Sequence, residues 1–152
     1  GRSATAWYRT LVLDKGERDG VTVGAPVITS GGVVGRVYEV SGRASRVMLL
    51  TDASSAVDAI IQRSRGRVLV EGRLQAEPHV LYLSRSHDAK PGDAIITSGL
   101  DGIYPKGLLL GRLTDIDDEP SEIFLSAKLA TSADFSRIEE VFILAAGDAG
   151  AP

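Results

Sequence analysis

His87, Asp93 and Ser98 fall within twelve residues of one another, and His79 precedes them closely. A serine hydroxyl, a histidine to take its proton and an acid to orient the ring are the residue types of serine-type acyl transfer. Their setting argues against that chemistry. His87 lies in the polar turn segment SRSHDAKPG, and Ser98 sits in TSG without the G-x-S-x-G elbow that lifts a nucleophilic serine onto a strained turn. The stretch ITSG also occurs twice, at 28–31 and 96–99, and the first copy has Ser30 but no histidine nearby. A Ser or Thr before Gly at a strand end more often bonds the turn backbone.

Other chemistry is no better supplied. Two histidines without HxH or HxxxH spacing leave any zinc site to be completed by carboxylates. The acidic run DIDDE at 115–119 lacks the glycine-punctuated spacing of a calcium loop. There is no cysteine, which excludes disulfides and thiolate chemistry. GGVVG at 31–35 enters a strand rather than a helix, so it is no phosphate loop. No metal or cofactor is expected, and no enzyme.

The elements around these residues are short strands. Seventeen glycines against three Phe and one Trp call for many turns and an aliphatic core. Residues 11–31, LVLDKGERDGVTVGAPVITSG, and 81–99, LYLSRSHDAKPGDAIITSG, share one plan of strand, polar turn and ITSG. Gly24 and Gly92 each supply the positive φ of a turn, the second as Lys90-Pro91-Gly92-Asp93. Gly35 in VGRV and Gly111 in LGRL mark equivalent strand centres where a bend or a close neighbour excludes a side chain. Gly31, Thr97, Ser98 and Gly99 read as strand-ending turns, and Gly107 as the re-entry into the next strand. Ile123–Leu129 alternates, with Ile123, Leu125, Ala127 and Leu129 on one face.

The expected fold is all-β, with two small β-barrel-like domains of short, mostly antiparallel strands. The first spans 1–77, the second 78–145, with a joint near Gln75–His79 and a tail at 146–152. The alternative is a strand exchange that makes one domain discontinuous.

Two stretches are candidate contacts. GLDGIYPKG is an insertion relative to the first copy, and its Leu100, Ile103 and Tyr104 either plug a barrel end or form a contact patch. Arg63, Arg65 and Arg67 alternate in RSRGR, as a solvated turn or a charged docking patch. A net charge of −3 disfavours nucleic acid. A carbohydrate-binding module is a further alternative, with Trp7, Tyr8, Tyr38, Tyr82 and Tyr104 as its aromatic candidates.

Four segments, LVLDKGERDGVTVGAPVITSGGVVGRVYEV (11–40), VMLLTDASSAVDAII (47–61), PGDAIITSGLDGIYPKGLLLGRL (91–113) and SADFSRIEEVFIL (132–144), resemble the bacterial rod shape-determining MreC family. That resemblance implies two small β-barrel-like domains behind an N-terminal transmembrane helix and a coiled coil, on the outer face of the inner membrane. It implies a non-enzymatic scaffold of the elongation machinery that forms dimers or filaments. Its implied partners are the class B penicillin-binding transpeptidase, the membrane protein MreD and the actin-like MreB.

Overall fold

The computed structural model describes residues 10–145, so Trp7, Tyr8 and the expected tail at 146–152 lie outside the described residues. In chain order the strands are β1 (Leu11–Leu13), β2 (Pro26–Ile28), β3 (Val33–Val40), β4 (Ser45–Leu49), β5 (Ala56–Ile61), β6 (Arg67–Arg73), β7 (Ala76–Leu83), β8 (Ala94–Thr97), β9 (Leu109–Asp117), β10 (Leu125–Thr131) and β11 (Phe142–Ile143). Single 3-10 turns cover Glu17–Asp19 and Arg85–His87. The described chain is all-β in substance. It forms an open five-stranded sheet, β1-β4-β3-β2-β11, and a closed six-stranded barrel, β10-β7-β6-β5-β8-β9. Every strand pairing is antiparallel.

The two sequence copies adopt the same backbone, bond for bond. Gly24 and Gly92 have φ of +95° and +92°, which glycine adopts without steric cost. The amide of Gly24 donates to Val37 O at 2.8 Å, and that of Gly92 to Leu113 O at 2.8 Å. Pro26, Val27 and Ile28 face Arg36, Gly35 and Val33 across β2 and β3, with a bulge before Ile28. Ala94, Ile95 and Ile96 face Arg112, Gly111 and Leu109 across β8 and β9, with the bulge in the same place. Downstream, Leu50 N donates to Val34 O at 2.8 Å, and Ser132 N to Leu110 O at 3.0 Å.

The likeness continues through the last strand of each copy, and there the copies exchange. β5 follows the first copy but pairs with β8 of the second, Ile60 facing Ile96 and Ile61 facing Ile95. β11 follows the second copy but pairs with β2 of the first, Phe142 facing Ile28 and Ile143 facing Val27. The next amide also matches: Gln62 N donates to Ala94 O and Leu144 N to Pro26 O, both at 2.9 Å. One sheet therefore runs β1-β4-β3-β2-β11 and the other β7-β10-β9-β8-β5, with β6 added between β5 and β7 to close the barrel. Buried residues from both sheets form one aliphatic core, including Val27, Val34, Leu49, Ile61, Leu83, Ile95, Leu110 and Leu129.

Two sequence expectations change. The joint expected near Gln75–His79 is the β6–β7 hairpin and the first half of β7, so the 77/78 division falls inside the barrel. Pro78 is accommodated within β7 because proline is tolerated at a bulge, and the β6–β7 register shifts between Glu71 and Arg73. Ile123 leaves the core face assigned to it: β10 starts at Leu125, and Ile123 is 82% exposed. Its carbonyl is held outside by Arg85 Nη1 at 2.7 Å. After β10, Asp134 caps a turn, accepting from Ser136 N at 3.0 Å before Phe135 and Ile138 enter the core.

Candidate interaction surfaces

The residue types of acyl transfer are dispersed into separate structural pairs. Ser98 is buried, and its hydroxyl donates to Asp58 Oδ1 at 2.8 Å while accepting from Leu100 N at 3.0 Å. Asp58 also takes a forked pair from Arg67, 3.2 Å from Nε and 2.6 Å from Nη2. The Arg67 hydrogen bond, assisted by Ser98 and opposed by partial burial, holds the Asp58 carboxyl below the usual carboxylate range. Asp93 belongs to Arg63, which reaches it with Nε at 3.0 Å and Nη2 at 2.8 Å and donates to Asp88 O at 2.7 Å. The Arg63 bond likewise lowers the Asp93 carboxyl.

Neither histidine joins these pairs. The His87 ring lies over Gly66, where an added Cβ would come within 2.5 Å of it. His79 stands on β7 opposite Glu71 on β6 and Lys128 on β10. Burial, with Arg73 and Lys128 nearby, pushes its pKa down. Among the described residues no group of three or more His, Asp or Glu is placed to hold a metal ion.

Ser98 thus ties β5 to the loop after β8. Ser98→Ala strands the Leu100 amide and one Asp58 lone pair, and should cost about 1–2 kcal/mol in urea unfolding. A turnover assay with ester substrates should show no serine-dependent hydrolysis. A loss of hydrolysis specific to Ser98→Ala would overturn this structural assignment.

The loop spanning 98–108 is fixed from within. Thr97 Oγ1 donates to Pro105 O at 2.6 Å and accepts from Leu108 N at 2.9 Å. Asp101 Oδ1 accepts from Ile103 N at 3.0 Å and from Tyr104 N at 3.3 Å. Gly99 and Gly107 bracket the loop, both with positive φ. In the first copy Thr29 Oγ1 accepts from Gly31 N at 3.1 Å, closing a much tighter turn. Tyr104 is 2% exposed and Ile103 packs partly against the core, whereas Leu100 is 65% exposed. The insertion folds Tyr104 and part of Ile103 onto the core, and burial takes Tyr104 away from the surface.

The three arginines do not share a face. Residues 62–64 form a turn instead of continuing the strand, and Arg65 has φ of +66°. Arg63 and Arg67 are directed to separate carboxylates, Asp93 and Asp58.

A surface that sequence reading missed lies at the end of β7. Tyr82 is 55% exposed and meets Phe124 edge-on, with ring centroids 5.6 Å apart and planes at 82°. Phe124 is 45% exposed, and with Ile123 beside it in the chain the three form an apolar patch lining a shallow groove. Arg85 organises the loop that carries them. It donates to the carbonyls of Glu119, Glu122 and Ile123 at 3.1, 3.0 and 2.7 Å, and pairs with Asp118 at 2.6 Å. The sequence signal is Phe124, an aromatic on the polar side of an alternating strand. Tyr38 on β3 and the buried Tyr104 are not part of this patch, and its edge-on pair is no flat stacking platform for sugars.

The class is a duplicated all-β framework, with its polar residues spent on turns and with apolar side chains left outside. The chain matches the family model "Rod shape-determining protein MreC, barrel core" over residues 1–145, and it belongs to that family. It is 32% identical over 142 residues to the cell shape-determining protein MreC of Cereibacter sphaeroides, covering 93% of this chain and 45% of the relative. It is 37% identical over 129 residues to that of Caulobacter vibrioides, covering 85% and 37%. The chain thus spans less than half the length of these relatives. The crystal structure of MreC from Pseudomonas aeruginosa superposes with a TM-score of 0.84 at 28% identity, covering 91% of this chain and 90% of that one. A further likeness, in fold alone at 23% identity and a TM-score of 0.63, is to a complex between the penicillin-binding protein PBP2 and MreC from Helicobacter pylori, with 78% of this chain and 74% of that one covered.

Proposed function

We propose that this chain is the extracytoplasmic β-rich part of a non-enzymatic scaffold of the cell elongation machinery, one that self-associates and binds cell-wall synthesis proteins. The observation that carries this reading is membership of the MreC family across residues 1–145. The Helicobacter pylori complex supports a class B penicillin-binding transpeptidase as the partner. MreD and MreB belong to the same assembly, as the family resemblance implies. The anchor to the inner membrane is a transmembrane helix N-terminal to this region. Among the described residues no helix is long and apolar enough to cross a membrane.

The apolar patch of Tyr82, Ile123 and Phe124 suits a contact of this kind, since aromatic and aliphatic anchors carry much of the energy of protein interfaces. Titration calorimetry against the transpeptidase's extracytoplasmic domain should give a Kd on the order of 1–10 µM. Phe124→Ala should weaken binding about tenfold, the result of losing about 1.4 kcal/mol, with an unchanged unfolding midpoint. An absence of binding at about 100 µM would overturn the partner. Sedimentation over a concentration series checks self-association independently.

A further inference from the structure

Two irregularities of the backbone meet at one end of the barrel. On β7, Leu81 and Tyr82 together stand opposite Ser126, and on β9, Asp115 and Ile116 together stand opposite Ala127. Each is a bulge, so β10 has one on either side at neighbouring residues. Among the described residues, Tyr82 (φ +64°) and Asp115 (φ +45°) are the two non-glycine residues within strands that have positive φ. Aspartate tolerates that region, but a bulky aromatic residue there is an outlier. The bulges decide which side chains face out. Strict alternation from the buried Val80 and Leu113 would turn Tyr82 and Asp115 inward. With the extra residue, Leu83 and Ile116 take the inward places, and Tyr82 and Asp115 are exposed. A strained backbone that turns a tyrosine out of the core, edge-on to Phe124, points to a surface with a use.

The groove beside this pair holds about 590 Å³, within the range of ligand clefts. Tyr82, Ile123 and Phe124 give it an apolar wall, and Asp117, Glu119 and Glu122 line it with no Lys or Arg among the described lining residues. Arg85 is paired with Asp118, and no ion pair joins Asp117, Glu119 or Glu122 among the described residues. That charge selects the occupant. It repels an anionic membrane surface, and two copies meeting patch to patch would oppose their own carboxylates. Because β7 and β10 pair with each other in a closed barrel, no free strand edge is offered, and recognition falls to side chains. We infer that the groove takes an exposed apolar side chain of a partner protein at a place where Arg or Lys residues flank it. The cations meet Asp117, Glu119 and Glu122, and the apolar side chain covers Tyr82 and Phe124. This rests on the reading of the patch as a contact surface and adds the chemistry of what it contacts.

The probe is a capped synthetic peptide, RRLWRR, added to the 152-residue chain and followed by amide chemical shifts. Shifts are expected at residues 81–83 and 117–126, with Kd on the order of 100 µM. EELWEE, which reverses the charge, and RRGSRR, which lacks the apolar anchor, should each bind at least about tenfold more weakly. The double variant Glu119→Gln, Glu122→Gln should lower affinity for RRLWRR while keeping the parent spectrum. Tyr82→Asn relieves the left-handed position and removes the ring, so it should keep or raise the urea midpoint while RRLWRR binding is lost. A midpoint lowered as far as by Val80→Ala would make Tyr82 a folding residue and overturn the inference. So would RRGSRR or EELWEE binding as tightly as RRLWRR, or shifts located elsewhere. Patch shifts that appear without peptide as protein concentration rises would assign the groove to a second copy and are equally fatal. If the transpeptidase binds through Phe124 while RRLWRR does not bind, this inference falls and the scaffold reading stands. RRLWRR binding at the patch without transpeptidase binding supports this inference and removes that partner.

Discussion

Gly35→Ala and Gly111→Ala are each expected to cost about 3 kcal/mol or more, a large share of the roughly 5–15 kcal/mol that holds a domain folded. A Cβ at Gly35 would stand 2.0 Å from Met48 O, and one at Gly111 would stand 2.2 Å from Ala130 O. Both obstacles are backbone atoms of the neighbouring strand, so no rotamer change relieves the clash. Each glycine sits in the middle of a three-strand ladder, Gly35 between Val27 and Leu49 and Gly111 between Ile95 and Thr131. Moving one strand away therefore breaks pairing on both sides. Gly24→Ala and Gly92→Ala meet no atom within 4 Å and incur only the left-handed backbone cost, about 1–2 kcal/mol. Urea midpoints of the four variants should fall into these two groups. A Gly35→Ala protein within about 1 kcal/mol of the parent would mean that the close approach of β3 and β4 is not required by the fold.

The correspondence of Gly35 and Gly111 is legible in the amino-acid sequence, because a strand-interior glycine that recurs after the same turn needs a physical reason. The repeat ITSG identifies the duplicated unit for the same cause: turn chemistry is local, and it is written in a few residues. The sequence leaves a strand exchange open only as an alternative, with the first strand as the one that crosses, whereas the strands that cross are β5 and β11. Ile60 and Ile61 could extend a sheet with either copy, and the choice is made by contacts far along the chain. Arg85 illustrates the other kind of blindness. Its partners at Asp118, Glu119, Glu122 and Ile123 are more than thirty residues away, so nothing near Arg85 announces that it will pull Ile123 out of the core. The candidate contact residues suffer accordingly. Tyr104 stands out in the sequence because of its loop and is buried, whereas Phe124 is placed only by strand parity and is exposed.

Tyr104→Ala should destabilise the protein by about 3–5 kcal/mol, the range for emptying a buried aromatic site. The side chain is 2% exposed and belongs to the common core, and its loop is locked by the Asp101 and Thr97 bonds, so the site has little freedom to collapse. The phenol adds a pH dependence of its own. Burial pushes its pKa well above the ordinary value of 10.0, with the Arg36 guanidinium pulling the other way and the Asp101 carboxylate pushing it further up. In the unfolded chain the phenol ionises near pH 10. Above that pH the unfolded state binds fewer protons than the folded state, so stability falls as pH rises. The contribution is complete below pH 10 and is then lost at up to about 1.4 kcal/mol per pH unit, until the folded-state phenol also ionises. Tyr104→Phe keeps the ring and removes the titration. Its urea midpoint should change little at pH 7, and the difference between the parent and this variant should shift in the variant's favour from pH 10 upward. Parallel pH profiles for the two proteins would show that the phenol ionises equally easily in both states, and that the loop does not seal Tyr104 from water.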